Sequence, residues 1–379
     1  MGAEKTRKLV IKRVDLIVIG AGLAGTAIAW NAHWRGLSIA IIDRADSATS
    51  SRVAAGLVTP ITGSRAAASW RWDEFYPVAN RFYRAVEKVI QKPIWIVEPA
   101  LRVFASEGER ELLSSKWIDR ARADNPDAIS AQSHWDLENT GLRSPHGACS
   151  FTPAARLQTL AYLTESQRYF QQFGAFHVAN LDCDREIHFA LSISDYPVEV
   201  PSMELVGKKI VFCQGTAARE NRFFSDRPLH PARGDILLIE SKQVQFEQIV
   251  HHHAWAVPVG SHRFLVGATY DRIPFLSDHA PSDLKATRFR SELETRWESM
   301  VEGSFSDGSH TVLEQRWAVR PASYDRHPLI GSHDRIARAY CLNGLGSKGT
   351  LLAPRLSEML IEAMDGASID PTLLRSRRK

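Results

Sequence analysis

The chain has 379 residues, room for about two or three domains of ordinary size. Apolar residues make up 44% and charged residues 24%, which excludes a wholly disordered chain, a collagen-like chain and a small disulfide scaffold. The net charge of +4 gives no support to a protein that coats nucleic acid or to a polybasic membrane binder. The four cysteines lack metal-site and disulfide spacing, so we expect buried thiols in a reducing cytoplasm.

The first apolar segment, residues 14–30, follows Lys12 and Arg13 and has the charged and apolar parts of a signal peptide. Asp15 and the glycines argue against that interpretation, and the run is shorter than the roughly 20 apolar residues of a membrane helix. Since no other stretch approaches that length, we expect no membrane span. A strand, a tight turn and a helix explain the segment better.

Local patterns support this unit. Apart from Asp15, residues 14–19 are apolar and mostly β-branched, which is typical of a strand buried on both faces. Gly20-Ala21-Gly22-Leu23-Ala24-Gly25 follows and leads into a predicted helix over 23–34. A second apolar run, 37–42, ends at Asp43. This order of strand, glycine turn, helix, strand and acid predicts a dinucleotide site, the alternative being a structural glycine turn.

Each part has a physical task in such a site. Gly20 permits the tight turn, Gly22 lets a pyrophosphate approach the backbone, and Gly25 lets helix and strand pack closely. The helix N-terminus offers N–H groups and a positive dipole to the phosphates. Asp43 can accept hydrogen bonds from a ribose hydroxyl. The motif does not decide between NAD and FAD.

The rest of the chain lacks the regular strand–helix repeat of a doubly wound NAD domain. Apolar spacing predicts helices at 72–91, from Pro153 to about 173 and at 284–301. We predict strands or hairpins at 94–105, 176–180, 187–192, 209–213 and across 230–270, and helix or loop over the polar residues 107–145.

A second glycine cluster, Gly344-Leu345-Gly346-Ser347-Lys348-Gly349, precedes a final predicted helix. No second strand–helix–strand unit surrounds it, so we do not expect a second dinucleotide motif. One interpretation is a helix N-terminus that serves a flavin, with N–H groups for its C2 carbonyl. The other is a loop that closes the last helix against the sheet.

Ordered motifs from Val14 to about Met364 resemble the D-amino-acid-oxidase superfamily of FAD-dependent oxidoreductases, which includes glycine and sarcosine oxidases. The motifs are VIGAGLAG with Asp43, Ser50-Ser51-Arg52 through Ala54-Ala55-Gly56, Phe151-Thr152-Pro153, KKIVFCQG at 208–215, Arg233-Gly234, FLVGATYDR at 264–272, VRPASYDRHPLIG at 319–331 and NGLGSKGTLLAP at 343–354. The last segment also resembles the FAD domain of the bifunctional tRNA methylaminomethyl-thiouridine modification enzymes.

The resemblance implies an α/β fold, α+β overall, in which a Rossmann-like FAD-binding domain is interleaved with a β-rich substrate domain. We expect the FAD-binding domain at 14–70, 146–220 and 315–379, and the substrate domain at 71–145 and 221–314. The resemblance further implies FAD-binding residues: Gly20, Gly22, Gly25 and Asp43 at the ADP half, Ser51, Ala55 and Gly56 along the pyrophosphate and ring, and Gly346, Lys348 and Gly349 at the pyrimidine end. The alternative for Ser51 is helix capping.

The resemblance also implies catalytic candidates. Arg320 matches an arginine that clamps the substrate carboxylate, because its fork binds a carboxylate bidentately; the alternative is a salt bridge to Asp325. Tyr270 matches a position that can face the flavin, or it is ordinary core. Lys348 would donate to the flavin or assist electron transfer to oxygen, or it is exposed. No cysteine lies in 317–331, where some relatives attach FAD, so we expect non-covalent FAD.

A metal site is not expected. His251, His252 and His253 are adjacent, and neighbouring residues of a strand face opposite sides, so they cannot all converge on one ion.

We expect oxidation of a C–N bond in an amino acid or other small amine, by hydride transfer to flavin that oxygen then reoxidises. FAD-dependent modification of a tRNA wobble uridine, an NAD-dependent dehydrogenase and a non-catalytic flavin-binding protein are alternatives. The distribution of charge bears on the tRNA alternative. Residues 1–13 and residues 375–379 each have a net charge of +4, and the residues between these two segments have a net charge of −4. That distribution favours the small amine.

Overall fold

The structure, a computed structural model, describes residues 11–63, 65–118, 129–134, 137–190, 195–226, 229–272 and 283–373. Its helices α1 to α8 are, in order, Leu23–Trp34, Ser50–Val53, Trp72–Ile90, Glu107–Leu113, Thr159–Gln172, Cys183–Glu186, Asp283–Met300 and Gly349–Met364. A π-helical turn occurs at Ser114–Ile118, and 3₁₀ turns occur at Pro201–Met203 and Gly215–Glu220.

The strands are short except for a few that form the centre of each sheet. In chain order, β1 to β22 are Lys12–Ile19, Ile39–Asp43, Leu57–Val58, Ile61–Thr62, Ala67–Ala68, Trp95–Val97, Ala100–Val103, Ser130–His134, Ala148–Thr152, Ala155–Leu157, Phe176–Val178, His188–Phe189, Val198–Val200, Leu205–Phe212, Ala232–Ser241, Ile249–His251, Trp255–Pro258, Arg263–Gly267, Asp271–Arg272, His310–Arg320, Leu329–Ser332 and Ala339–Asn343.

The first sheet has eight strands, and its centre is parallel. Strand β1 pairs in parallel with β2 on one side and β14 on the other, while β14 also pairs in parallel with β22. Leu16, Ile17 and Val18 are at most 1% exposed because helices and loops cover both faces of the strand. The parallel pairing brings the carboxyl ends of these four strands to one edge of the sheet.

Helices α1, α3, α5 and α8 pack into one core with this sheet. Helix α1 has the predicted bounds, and its first ten residues are buried, since alanine and glycine allow close approach. Trp30 lies at the centre of this core, and its indole nitrogen donates to the Ser166 hydroxyl at 2.8 Å. Helices α1 and α8 lie side by side, and the Asn31 amide of α1 donates to the Ser357 hydroxyl of α8 at 2.6 Å.

The second sheet has nine strands and is built around β15. Strand β15 pairs antiparallel with β18 on one side and with β20 on the other. Helix α7 packs on this sheet through buried side chains that include Leu293 and Trp297. The β-rich pattern across 230–270 and the helix predicted at 284–301 are both confirmed.

Two features differ from the sequence predictions. The helix expected from Pro153 begins only at Thr159, because Ala155–Leu157 form a strand that pairs with β3 and β6. The polar residues 107–145, predicted as helix or loop, contain the strand Ser130–His134, which pairs antiparallel with β9. In both cases tertiary packing outweighs the local pattern.

Candidate active site

A cavity of about 760 Å³ lies at the carboxyl edge of the first sheet and reaches the second sheet. Ligands of open parallel sheets bind at this edge. The volume lies within the usual range of about 300–1,000 Å³ for small-molecule sites. Of the residues predicted to bind FAD, those that line it are Gly20, Gly22, Asp43, Ser51, Ala55, Gly56, Gly346 and Gly349.

The first glycine turn leaves the N-terminus of α1 accessible from the cavity. Gly22 is the N-cap residue and supplies no side chain, while its Cα faces the Ser51 hydroxyl, 2.8 Å from where a Cβ would lie. Gly25 does not line the cavity; a Cβ there would overlap the Gly20 carbonyl oxygen, so this glycine lets α1 approach β1. The turn therefore has the bare backbone that a pyrophosphate needs.

Asp43 ends β2 at the same edge. Its Oδ2 accepts a hydrogen bond from the Ala21 N–H at 2.6 Å, and its Oδ1 accepts from the Ala45 N–H at 2.7 Å. Each carboxylate oxygen can accept a second bond, so the fixed carboxylate remains able to bind ribose hydroxyls.

Residues 50, 51 and 53–56, which follow β2, line the cavity next to the first glycine turn. The Ser51 hydroxyl accepts from the Leu23 N–H at 3.1 Å, so Ser51 caps α1 from a distant part of the sequence rather than its own helix. Gly56 has a φ of +74°, and a Cβ there would overlap the Leu157 carbonyl. Glycine is therefore required for the segment to follow the cavity wall.

The second glycine turn brings another helix N-terminus to the cavity. Gly346 has a φ of +55° and donates its N–H to the Pro321 carbonyl at 3.2 Å. Helix α8 begins at Gly349, and no side chain caps it. The N-terminus of α1, capped only by the distant Ser51, and the uncapped N-terminus of α8 thus open into one cavity with their positive dipole ends.

Lys348 is the N-cap residue of α8, but its side chain does not line the cavity. The ammonium group lies 3.2 Å from the hydroxyl of Ser69, a residue only 3% exposed. Burial lowers the pKa of Lys348 to about 8. The exposed-lysine alternative is therefore wrong. His251 is partly buried, and burial lowers its pKa to about 3, with smaller contributions from the positive charges of Arg102 and Lys348.

Arg320, the last residue of β20, lines the far end of the cavity. Its Nη1 donates to the carbonyl oxygens of Arg233 at 3.3 Å and Thr269 at 3.2 Å. Burial lowers the pKa of Arg320, although the nearby Tyr270 and Asp235 oppose that effect. Among the described residues, no carboxylate forms an ion pair with Arg320. The arginine is thus a poorly solvated cation with hydrogen-bond donors to spare.

The structure contradicts the alternative interpretations of Arg320, a salt bridge to Asp325, and of Tyr270, an ordinary core residue. Asp325 does not bind Arg320; its Oδ1 accepts from the His327 N–H at 2.9 Å. Tyr270 is not core, because it is 54% exposed, and its ring centroid lies 5.7 Å from the Arg320 guanidinium carbon. Tyr270 therefore flanks the arginine at the surface.

Several lining residues were not predicted from the sequence. Trp255 and Trp317 form walls near Arg320, and Gln214 and Asn343 lie at the ends of β14 and β22. The position of Gln214 directly after the strand predicted at 209–213 is a signal that could have identified it. No such signal marked the tryptophans, because their strands converge only in the tertiary structure.

The described residues contain no group of three potential ligands arranged to hold a metal ion. None of the helices in the described ranges combines the length and the apolar character that crossing a bilayer requires.

The geometry fits FAD. A dinucleotide places its pyrophosphate on bare backbone at a helix N-terminus, a place that the turn around Gly22 provides. Asp43 is positioned for a ribose, and the N-terminus of α8 can face the flavin ring. The cavity continues beyond these groups to Arg320, which leaves space for a substrate.

Comparison with known proteins agrees with this assignment. The chain is 24% identical over 383 residues to the glycine oxidase of Bacillus licheniformis, which covers 94% of each chain. It is 26% identical over 362 residues to a tRNA 5-methylaminomethyl-2-thiouridine biosynthesis bifunctional protein of Maricaulis maris. That match covers 92% of this chain but 52% of the relative, so this chain spans about half its length.

Solved structures show the same fold. The glycine oxidase from Geobacillus kaustophilus superposes with a TM-score of 0.71 at 16% identity, covering 96% of this chain and 99% of that one. The iminodiacetate oxidase from Chelativorans sp. BNC1 gives 0.70 at 19% identity, covering 93% and 96%.

The family model described as DAO, FAD dependent oxidoreductase, matches residues 15–363. The NAD-dependent alternative is therefore wrong, and the resemblance inferred from the motifs is confirmed. The chain belongs to the DAO family of FAD-dependent oxidoreductases and is an enzyme with FAD as its cofactor.

Proposed function

We propose that this enzyme oxidises the C–N bond of an amino acid or of a secondary amine that carries a carboxylate. One observation carries the proposal. Arg320 is a desolvated cation with no carboxylate partner among the described residues, and it lines the same cavity as the FAD-binding glycines. A small anionic ligand beside the cofactor would give Arg320 the partner it lacks.

In this proposal Arg320 binds the substrate carboxylate. Its Nη1 is held by two backbone carbonyls, which leaves Nε and Nη2 as a fork for two carboxylate oxygens. Trp255, Trp317 and Ile236 supply apolar walls that exclude water around the amine. FAD supplies the hydride acceptor when bound. The protein's contribution is chiefly placement, and no strong base is needed if the amine binds unprotonated.

Lys348 and the acceptor belong to the same proposal. The Lys348 ammonium adds positive charge next to the N-terminus of α8, where it would favour negative charge on the cofactor. Oxygen is the proposed electron acceptor. The scattered, buried cysteines favour a cytoplasmic location with non-covalent FAD.

The names of the relatives support a carboxylate-bearing amine. A glycine oxidase is similar along nearly the whole chain, and an iminodiacetate oxidase shares the fold. By those names, one relative acts on a primary amine and the other on a secondary amine, each of which carries a carboxylate. The proposed substrate class includes both.

The test is anaerobic mixing of the purified flavoprotein with glycine, N-methylglycine and iminodiacetate, followed by flavin bleaching. We expect at least one of them to bleach the flavin and matched amines without a carboxylate to fail. Arg320→Lys keeps the charge but loses the fork, and Arg320→Met loses both, so bleaching should slow in that order. Equal bleaching by amines with and without a carboxylate would refute the proposal.

A second candidate is removal of a carboxymethyl group from a secondary amine on a tRNA wobble uridine. The similarity to the Maricaulis maris protein over 92% of this chain favours it. The basic ends, residues 1–13 and 375–379, lie largely outside the described residues. This candidate predicts tRNA binding that weakens steeply with salt. Absence of tRNA binding at low salt would exclude it.

A further inference from the structure

A buried ion pair lies next to Arg320. Nε and Nη2 of Arg233 donate to the two carboxylate oxygens of Asp235 at 2.8 and 2.9 Å, and the two side chains are 5% and 0% exposed. The Arg233 guanidinium carbon lies 4.6 Å from the ring centroid of Trp317 and 5.3 Å from that of Phe289. Burying both charges is costly, so such a pair is weak support for stability and points to another role.

Asp235 also ties this pair to a neighbouring segment. Its backbone N–H donates to the Thr269 hydroxyl at 2.8 Å, and the Thr269 N–H donates to the Asp235 carbonyl at 3.2 Å. The Gln315 amide nitrogen donates to Oδ2 of Asp235 at 2.9 Å. Arg233 and Thr269 are therefore held relative to each other through Asp235.

These same two residues hold Arg320. Its Nη1 donates to the carbonyl oxygens of Arg233 and Thr269 and to no other described residue. Gly234 lies between Arg233 and Asp235, and a Cβ on it would overlap the Arg320 guanidinium. The Arg320 guanidinium thus packs against the Cα of Gly234, between the carbonyls of Arg233 and Thr269. The positions of these two carbonyls depend on Asp235.

We infer that Arg233, Asp235 and Thr269 form a positioning unit that orients the Arg320 guanidinium toward the carboxylate of the substrate. The inference rests on the proposed function, because it assigns the task for which Arg320 is oriented. A fork binds two oxygens only when its plane is fixed, so loosening either carbonyl weakens carboxylate binding. The FAD-binding glycines lie on other segments and keep their geometry.

The test uses Thr269→Val, which removes the hydroxyl that accepts from Asp235 but keeps the shape of the side chain. Thr269→Ser keeps the hydroxyl and serves as the conservative variant. Glu314→Gln breaks an exposed ion pair with Arg316 on the strand that carries Arg320 and serves as the matched control. All three are compared as holoenzymes with equal flavin content.

Benzoate is the probe, because its ring suits walls formed by Trp255 and Trp317, and its binding is followed by the flavin spectrum. We expect Thr269→Val to raise its dissociation constant about tenfold, as for loss of a buried hydrogen bond. Thr269→Ser and Glu314→Gln should bind as the wild type does. If Arg320→Met binds benzoate more weakly than wild type does, equal affinity of Thr269→Val and wild type would overturn the inference.

A second measurement separates this inference from the proposed function. The rate at which phenylglyoxal modifies Arg320, mapped by peptide mass spectrometry, needs no ligand. We expect a faster rate in Thr269→Val and unchanged rates in the other two variants. If Arg320→Met binds benzoate as tightly as wild type, the proposed clamp fails, while the modification rate still tests the positioning. An unchanged rate in Thr269→Val overturns the inference.

Discussion

Burial of Lys348 should cost the protein stability near neutral pH. The folded protein lowers the pKa of this lysine from 10.5 to about 8 by burial. At about 1.36 kcal/mol per pKa unit, full burial costs about 3 kcal/mol when the lysine is charged. Partial exposure of the side chain reduces this to about 2 kcal/mol. We therefore expect Lys348→Met to raise the free energy of unfolding of the flavin-free protein at pH 7 by about 2 kcal/mol.

The pH dependence provides a sharper test. Between pH 8 and 10.5 the folded lysine has lost its proton while the unfolded one keeps it, so the unfolded state binds more protons. The free energy of unfolding of the wild type therefore rises with pH across this window relative to the variant. The advantage of Lys348→Met should shrink above pH 8 and vanish near pH 10.5.

The assay is urea unfolding followed by tryptophan fluorescence, at a series of pH values from 7 to about 10. Lys242→Met, at an exposed lysine, makes the same change in charge and should show no such slope. A constant difference between Lys348→Met and wild type at all pH values, or a variant less stable than wild type at pH 7, would refute the reasoning.

Three further predictions concern the cofactor and the core. Gly25→Ala should lose most bound FAD, because its Cβ has no room between α1 and β1, whereas Gly108→Ala in an open helix position should keep it; flavin content per polypeptide decides. Ser166→Ala should lower the free energy of unfolding by about 1–3 kcal/mol, because the Trp30 indole nitrogen loses its buried partner; unchanged thermal unfolding would contradict this. Acid denaturation should release all flavin into solution, since 317–331 contain no cysteine; flavin that stays with the polypeptide would show a covalent link.

Much of the structure around the first sheet could be predicted from the sequence. The order of strand, glycine turn, helix, strand and acid from Val14 to Asp43 predicted a strand–helix–strand unit that binds a dinucleotide, and the family resemblance implied the fold and FAD. Helix α1 has the predicted bounds because the glycine turn and the apolar residues that follow it are local features of the sequence. The helix expected from Pro153 was wrong in its start, because pairing with two distant strands converts Ala155–Leu157 to strand.

The functional end of the cavity was less accessible to sequence reasoning. A family motif led to the prediction of Arg320 as a substrate-binding residue, but the sequence led to no prediction for Asp235 or Thr269. Nothing in the sequence around these two residues shows that a carboxylate at 0% exposure would fix the two carbonyls that bind Arg320. Trp255 and Trp317 were likewise ordinary members of alternating β segments.

The sequence by itself determined the glycine turns, the acid that ends the second strand and the family, because a turn, a helix start or a strand depends on residues a few positions apart. Only the tertiary structure decided that Lys348 is buried on Ser69, that Ser51 caps α1, and that Arg320 has no carboxylate partner among the described residues. Burial and pairing depend on segments brought together by packing, and the pKa of an ionisable group follows from that environment.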